Sequence, residues 1–225
     1  MEKFVFVHIH KTGGMSLYSA LEDFFGPESC IRFANGGLAD SAAFESLNTE
    51  ALKNIRLISG HFFYPTFLRK ITPDWTPIVI VRNPLERIFS AYNYMSQPFH
   101  ALAEAVGGMS FEEYYEHISS GARGENNIQC QYICGEPSFE LALSKMKDCG
   151  FVFSSLDNMQ SLFHEMSSRI GVDLPCREIN ASTKRQAIDT ISPALKHKIL
   201  LENQEDYKLF FLLNALSSFR VNRFF

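Results

Sequence analysis

The chain has 225 residues, of which 46% are hydrophobic and 20% are charged, and its formal net charge is −4. These values are typical of a globular protein with one full core, and they predict a single domain over residues 1–225. A net negative charge argues against a general nucleic-acid-binding protein, because such proteins carry an excess of basic residues. It is compatible with a small anionic ligand in a local basic pocket.

The five cysteines are odd in number and irregularly spaced, and no histidine cluster completes a zinc site with them. This pattern predicts reduced thiols in a reducing compartment and no bound metal. The N-terminus has the composition of a strand, and neither a signal peptide nor a membrane anchor is expected. A cytoplasmic location of bacterial type is therefore expected, and the Golgi lumen is the alternative if the chain is trimmed from a longer protein.

The N-terminal segment predicts a strand, a glycine turn and the start of a helix. Residues 4–7 are continuously apolar, aromatic or β-branched, which is typical of a strand buried on both faces. Gly13 and Gly14 permit a tight turn and a close approach of the backbone to a ligand. Apolar residues at helical spacing follow Ser16. Backbone N–H groups and the positive end of the helix then point at one place, where an anion binds readily.

The same turn carries a lysine and two hydroxyl groups, in the order Lys-Thr-Gly-Gly-x-Ser. Walker A ends in Gly-Lys-Ser/Thr, and here the lysine precedes the glycines. The order resembles instead the 5′-phosphosulfate loop of sulfotransferases, which use 3′-phosphoadenosine-5′-phosphosulfate (PAPS). The resemblance implies a catalytic role for the lysine and PAPS binding by Lys11, Thr12, Gly13, Gly14, Met15 and Ser16. An ordinary strand–helix turn with a solvated lysine is the alternative.

The second predicted strand, residues 55–59, ends beside a histidine. Before it, residues 30–51 are rich in Ala, Ser, Asn and Gly and predict a surface loop with a short helix over residues 41–47. A Gly-His pair follows the strand, and open α/β sheets place their chemistry at the carboxyl ends of strands. This pair resembles the segment with the catalytic base in the uronosyl 2-O-sulfotransferase branch and its relatives, which implies that His61 is the base. Ser59 stands where that branch often has a second histidine, and a structural histidine is the alternative.

The third predicted strand, residues 77–81, leads into a helix expected over residues 84–95. The order Arg-x-Pro at the junction and Ser-x-Tyr within the helix resembles the 3′-phosphate motif of the same enzymes. This resemblance implies that Arg82 and Ser90 hold the 3′-phosphate of the cofactor. Chemically, Arg82 can direct two N–H groups onto a phosphate, and Ser90 can donate a hydroxyl. In the alternative, the arginines of this segment form surface ion pairs, with Glu86 available.

The remaining chain predicts a fourth strand and further helices. The strand is expected over residues 151–154, followed by a helix that Asp157 caps and Gly171 ends. Ser192 and Pro193 predict the start of one long C-terminal helix that reaches about residue 216. Strands that alternate with helices predict an α/β fold, a P-loop-like three-layer domain with a central parallel sheet and helices on both faces.

Two later segments extend the resemblance over nearly the full length. Residues 126–135 resemble the family's middle segment, which often has the shape Asn-x-Gln-x-x-x-x-x-Gly. Residues 180–185 resemble the late loop that closes over the cofactor. The resemblance implies that this loop supplies further cofactor ligands, namely Ser182, Thr183 and Arg185.

The resemblance as a whole implies a PAPS-dependent sulfotransferase, similar to the carbohydrate or uronosyl 2-O-sulfotransferase branch. It implies transfer of a sulfuryl group to a hydroxyl of a carbohydrate or a small hydroxylated molecule, with release of adenosine-3′,5′-bisphosphate (PAP). In that reaction Lys11 and the loop N–H groups stabilise charge on the leaving phosphate, and His61 takes the hydroxyl proton. Neither a metal, nor a nucleic acid, nor a membrane segment is expected.

Two other functions stay open at this point. A P-loop nucleotide kinase or hydrolase also uses a phosphate loop, but it needs Gly-Lys-Ser/Thr and a magnesium-binding Asp after an apolar strand, where this chain has Arg82. A non-catalytic nucleotide-binding module of the same fold is the second alternative. The joint presence of Lys11, His61, Arg82 and Ser90 argues against it.

Overall fold

The structure, a computed structural model, describes residues 2–34, 37–117, 124–176 and 188–221. Its strands are β1 (Lys3–Val7), β2 (Cys30–Phe33), β3 (Leu57–Gly60), β4 (Trp75–Val81) and β5 (Val152–Ser155). They form one parallel sheet in the order β2-β3-β1-β4-β5. The first strand of the chain therefore lies at the centre of the sheet, between β3 and β4.

Helices connect the strands and surround the sheet. They are α1 (Gly14–Phe25), α2 (Gly37–Glu45), α3 (Tyr64–Phe67), α4 (Pro84–Met95), α5 (Ala103–Val106), α6 (Phe111–Tyr114), α7 (Ile128–Cys134), α8 (Phe139–Cys149), α9 (Met159–Ile170), α10 (Pro193–Glu202) and α11 (Gln204–Val221). Within the described part of the chain, none of them is long and apolar enough to cross a membrane.

Side chains alternate between the two faces of the sheet along each strand, and both faces are buried. In β1, Val5 and Val7 belong to one buried cluster, which also contains residues of α2, α7, α8 and α11. Phe4 and Phe6 belong to a second cluster, with residues of α1 and α9. The predicted α/β fold, a central parallel sheet with helices on both faces, is confirmed.

The strand register brings three strand ends to one edge of the sheet. Val7 at the end of β1 is paired with Gly60 at the end of β3 and with Val79 near the end of β4. The residues that follow these strands therefore leave the sheet side by side, as parallel topology requires. This edge receives the Lys11 turn, His61 and Arg82.

One predicted loop is partly a strand. Residues 30–33 form the edge strand β2, which pairs with β3, whereas the composition of residues 30–51 predicted a surface loop. The reason is that β2 is only half-buried and includes the exposed Arg32, so it lacks the apolar run of the inner strands. The short helix predicted over residues 41–47 is α2, which begins at Gly37 and ends at Glu45.

Two predicted helix boundaries are wrong. Asp157 does not cap α9, because it lies inside a 3₁₀ turn and Asn158 occupies the N-cap position. The predicted single C-terminal helix is two helices, α10 and α11, separated at Asn203. The Asn203 side chain donates to the carbonyl of Ile199 and to the hydroxyl of Tyr115, so the break is held by specific hydrogen bonds. By contrast, the helix predicted over residues 84–95 is confirmed as α4.

Candidate functional site

The turn between β1 and α1 has the backbone of an anion site. Lys11 and Gly13 adopt left-handed backbone angles, with φ of 66° and 79°, which fold the chain back toward the sheet edge. α1 begins at Gly14 without a side-chain cap on its first turn, so the N–H groups there are not satisfied by a capping side chain. The hydroxyl of buried Thr12 donates to the carbonyl of Ile9 at 2.9 Å, and it therefore holds the turn together. This geometry suits an anion at the N-terminus of α1.

Both glycines of the turn are required by close packing. A Cβ on Gly14 would lie 2.6 Å from Nε2 of the His8 ring, closer than real Cβ contacts allow. A Cβ on Gly13 would clash with the side chain of Leu156, which follows β5. The turn thus packs between two neighbouring segments, and its backbone can lie against them because neither glycine carries a Cβ.

Two cations flank this turn. Arg82 follows β4, and its Nη1 donates to the Lys11 carbonyl at 3.3 Å while its Nη2 and Nε reach a carboxylate oxygen of Glu86 at 3.3 Å. The Lys11 Nζ lies over the ring of Tyr94, 4.0 Å from its centre. Burial, together with the charge of Arg82, lowers the pKa of Lys11. An anion between the two cations would relieve their mutual repulsion.

The alternative interpretation of this segment was that its arginines form surface ion pairs. Arg82 does form an ion pair with Glu86, and this pair is partly exposed. Ser90 is half-buried and lies one turn after Glu86 on the same side of α4. Arg87 points into the interior instead, with 1% of its side chain exposed and Nη1 3.6 Å from the carboxylate of Glu125. Of the two arginines, Arg82 is therefore the one at the sheet edge.

His61 has a fixed tautomer. Its Nδ1 lies 2.6 Å from the carbonyl oxygen of His8, and a carbonyl oxygen only accepts hydrogen bonds. The proton of the neutral ring is thus on Nδ1, and Nε2 carries a lone pair. Burial lowers the pKa of His61 and outweighs the hydrogen bond to the His8 carbonyl, which raises it. The ring is therefore neutral near pH 7 and able to accept a proton at Nε2.

Two further histidines pack against His61, and we call the three together the histidine corner (His8, His10 and His61). The rings of His10 and His61 stack at a centroid distance of 3.7 Å, and the ring of His8 lies 4.5 Å from that of His61. Tyr132 of α7 meets His10 edge-on at 6.0 Å, and Phe63 meets Tyr132 at 5.2 Å. Two imidazole rings thus pack directly on the candidate base, and Tyr132 and Phe63 lie beyond His10.

Sequence reasoning did not assign roles to His8 and His10. The sequence did contain a hint of their proximity. His8 and His10 flank Ile9 just after an extended strand, and in extended chain residues two apart point to the same side. The contact of Tyr132 with the corner had no such signal, since it depends on how α7 packs against the sheet edge.

The other predicted site residues are placed as follows. The thioether of Met15 accepts a hydrogen bond from Nη2 of Arg32 at 3.0 Å, and Ser16 is half-buried in the first turn of α1. The predicted cofactor ligands of the late loop lie outside the described residues, namely Ser182, Thr183 and Arg185. Among the residues that are described, no group of three or more His, Cys, Asp or Glu side chains could hold a metal ion.

The fold and this edge define an α/β protein with a candidate anion site at the carboxyl end of a parallel sheet. The family model described as the sulfotransferase family matches residues 1–211, and the chain therefore belongs to that family. A comparison with curated proteins finds no match.

Solved structures agree with this fold. A sulfotransferase from Alicyclobacillus acidocaldarius is 16% identical, with 92% of each chain covered and a TM-score of 0.52. A mouse sulfotransferase complexed with PAP is 11% identical, with 98% of this chain and 88% of that chain covered and a TM-score of 0.56. At these identities the two structures show the fold.

Proposed function

We propose that this sulfotransferase moves a sulfuryl group from PAPS to an acceptor hydroxyl, with His61 as the base. The observation that carries the proposal is the hydrogen bond from Nδ1 of His61 to the His8 carbonyl, which leaves Nε2 as an acceptor at the edge where Lys11 also lies. A neutral base and a cationic anion site next to each other are the two groups that sulfuryl transfer needs.

The residues present fit the phosphosulfate and 3′-phosphate groups of the cofactor. The first turn of α1 offers N–H groups that no capping side chain satisfies, next to the left-handed turn at Lys11 and Gly13. Lys11 supplies one positive charge there and Arg82 a second. When bound, PAPS supplies an activated sulfuryl group. The PAP in the structurally similar mouse sulfotransferase supports this choice of cofactor.

Each residue then has a defined task. Lys11 and the N–H groups of the turn stabilise negative charge on the phosphate side of the reaction, and the loss of one such donor typically costs about 10²–10³ in rate. Arg82 and Ser90 hold the 3′-phosphate. His61 accepts the proton of the attacking hydroxyl at Nε2, a contribution of about 10²–10⁴. The assignment of Ser182, Thr183 and Arg185 as further cofactor ligands rests on the resemblance of their segment alone, because they lie outside the described residues.

The acceptor in this proposal is a carbohydrate or a small hydroxylated molecule. The exposed rings of Phe63 and His10 lie on either side of buried Tyr132 near His61, and they suit the flat face of a sugar or another ring. The net charge of −4 does not favour a long polyanionic glycan, which would call for a basic groove. The uronosyl 2-O-sulfotransferase branch supplies the first acceptors to screen.

Calorimetric titration tests the cofactor assignment. PAP is titrated beside ADP and ATP, with and without magnesium. We expect PAP to bind with micromolar affinity, in a manner that needs its 3′-phosphate and weakens in Arg82→Ala. No binding of PAP, or a magnesium-dependent preference for ATP, would overturn the proposal in favour of a nucleotide kinase or hydrolase. Transfer of labelled sulfate from PAPS to acceptor pools then separates an enzyme from a module that only binds nucleotide.

A further inference from the structure

Gln129 of α7 binds the backbone of Arg82 with both ends of its side-chain amide. Its Oε1 accepts from the Arg82 N–H at 2.8 Å, and its Nε2 donates to the Arg82 carbonyl at 2.9 Å. Gln129 is completely buried, whereas Arg82 is partly exposed, so the amide holds the Arg82 backbone from the interior of the protein. One side chain thus holds both polar groups of the Arg82 backbone.

The position of Arg82 explains why these bonds matter. The ladder between β4 and β5 ends at Val81, and the ladder between β4 and β1 ends earlier, at Val79. Arg82 is therefore the first residue beyond the sheet, and its backbone N–H and carbonyl need partners from elsewhere. The amide of Gln129 supplies one donor and one acceptor, like one more peptide unit of a neighbouring strand.

Gln129 is itself held in place by the C-terminal helix. Its backbone N–H donates to Oδ2 of Asp206 at 3.0 Å, and the N–H of Cys130 donates to Oδ1 at 2.9 Å. The Asp206 side chain is fully buried at the start of α11. The Asn127 side chain adds bonds to the backbone of Glu202 at the end of α10 and of Glu205 and Asp206 in the first turn of α11. A continuous series of hydrogen bonds, buried at Asp206 and partly buried at Arg82, thus runs from α11 through α7 to Arg82.

We propose that Gln129 is a positioning residue for cofactor binding. It fixes the backbone of Arg82 so that the guanidinium meets the 3′-phosphate from a set direction. The Arg82 side chain is long, and its contacts with the Lys11 carbonyl and with Glu86 are 3.3 Å, at the long end for hydrogen bonds. These contacts alone therefore hold the guanidinium only loosely. A binding group must be held to about 0.5 Å to work well, so the backbone must supply the rigidity. The inference rests on the proposed role of Arg82.

Two variants separate positioning from simple stability. Gln129→Met keeps the length of the side chain and removes both hydrogen bonds, whereas Gln129→Glu keeps the acceptor and removes the donor. Binding of PAP and of AMP, which lacks the 3′-phosphate, is measured by calorimetry for each. We expect PAP affinity to fall by about tenfold and AMP affinity by no more than about twofold, because only PAP uses Arg82 through the 3′-phosphate. Gln129→Glu provides the answer if Gln129→Met does not fold.

The chain offers a matched control on the same helix. Gln131 is also a glutamine of α7, and its amide donates to the Asn126 carbonyl and makes no contact with Arg82 among the hydrogen bonds of the described residues. We expect Gln131→Met to leave the ratio of PAP to AMP affinity unchanged. In an Arg82→Ala background, Gln129→Met should have no further effect on that ratio, because the positioned group is absent.

The outcomes are distinguishable. If the parent protein does not bind PAP, or if Arg82→Ala binds it as well as the parent, the proposed function fails and the positioning role fails with it. If the parent and Arg82→Ala behave as expected but both Gln129 variants keep the parent ratio, only the positioning role is overturned. A lower melting temperature with an unchanged ratio also overturns it, since Gln129 then only stabilises the fold.

Discussion

The phosphate side of the candidate site (Lys11 and Arg82) and the histidine corner are held in place by different means. On the phosphate side the cations have long or non-ionic contacts, such as the Tyr94 face and the 3.3 Å contacts of Arg82. In the histidine corner the rings stack on one another and the Nδ1 contact of His61 is 2.6 Å. The difference shows how one sheet edge can keep positive charge on Lys11 and Arg82, the proposed anion ligands, while burial disfavours charge on His61, the proposed base.

The largest expected effect comes from the histidine corner. His61→Ala should reduce the rate of sulfuryl transfer by about 10²–10⁴, because it removes the proposed base, while PAP affinity stays within about threefold. Transfer rates and calorimetry on the same preparation measure both. His197→Ala, at an exposed position of α10, is the control and should keep the parent rate. Loss of PAP binding in His61→Ala would mean that His61 binds the cofactor, which would contradict the division between the phosphate side and the histidine corner.

Gly14 lies where the two regions meet, since the turn that holds Lys11 packs against the ring of His8 there. Gly14→Ala should destabilise the fold by about 1–3 kcal/mol, the usual range for a group forced into a packed site. Urea unfolding followed by circular dichroism measures the change. The control is Gly108→Ala, because a Cβ at Gly108 would meet no atom within 4 Å, and its free energy of unfolding should change by no more than about 0.5 kcal/mol. Equal effects of the two substitutions would show that the turn is not packed against His8.

These residues also show what the sequence could predict. The turn was predictable because a continuous apolar strand, two glycines and a lysine are adjacent in the chain. The strand β2 was not, because its stability comes from pairing with β3 and not from its own apolar pattern. The contact of Gln129 with Arg82 joins residues 47 positions apart, and the stack of His10 on His61 requires that β1 and β3 be neighbours. Local patterns carry no information on such contacts until the strand order is known.

The pH dependence of stability tests whether the histidine corner suppresses charge. Burial, with smaller contributions from the neighbouring His61 and His10 and from Arg32 and Lys11, lowers the pKa of His8 well below 6.5 in the folded protein. Below pH 6.5 the unfolded chain therefore binds a proton that the folded protein does not. Folding stability is then complete above that pH and falls as the pH drops toward the folded pKa, by at most about 1.4 kcal/mol per pH unit for one proton.

His8→Phe should reduce this loss of stability between pH 7 and pH 5.5, because the buried titrating ring is gone. Urea unfolding at several pH values measures the slope for the parent and for the variant, and His197→Ala should keep the parent slope. A variant with the same slope as the parent would mean that His8 titrates normally in the fold, and that burial does not keep the corner neutral.

The smallest expected effect is on the phosphate side. Glu86 shares Arg82 with any incoming phosphate and adds a negative charge next to it. Glu86→Gln should therefore strengthen PAP binding, by about two- to fivefold, since a partly exposed ion pair is worth at most about 1 kcal/mol. Glu104→Gln, at an exposed position of α5, is the control and should leave the affinity unchanged. The gain should shrink at high salt, because a Debye length of about 8 Å at physiological ionic strength shortens further as salt is added. Weaker PAP binding in Glu86→Gln would mean that the carboxylate orients Arg82 for the phosphate and does not compete with it.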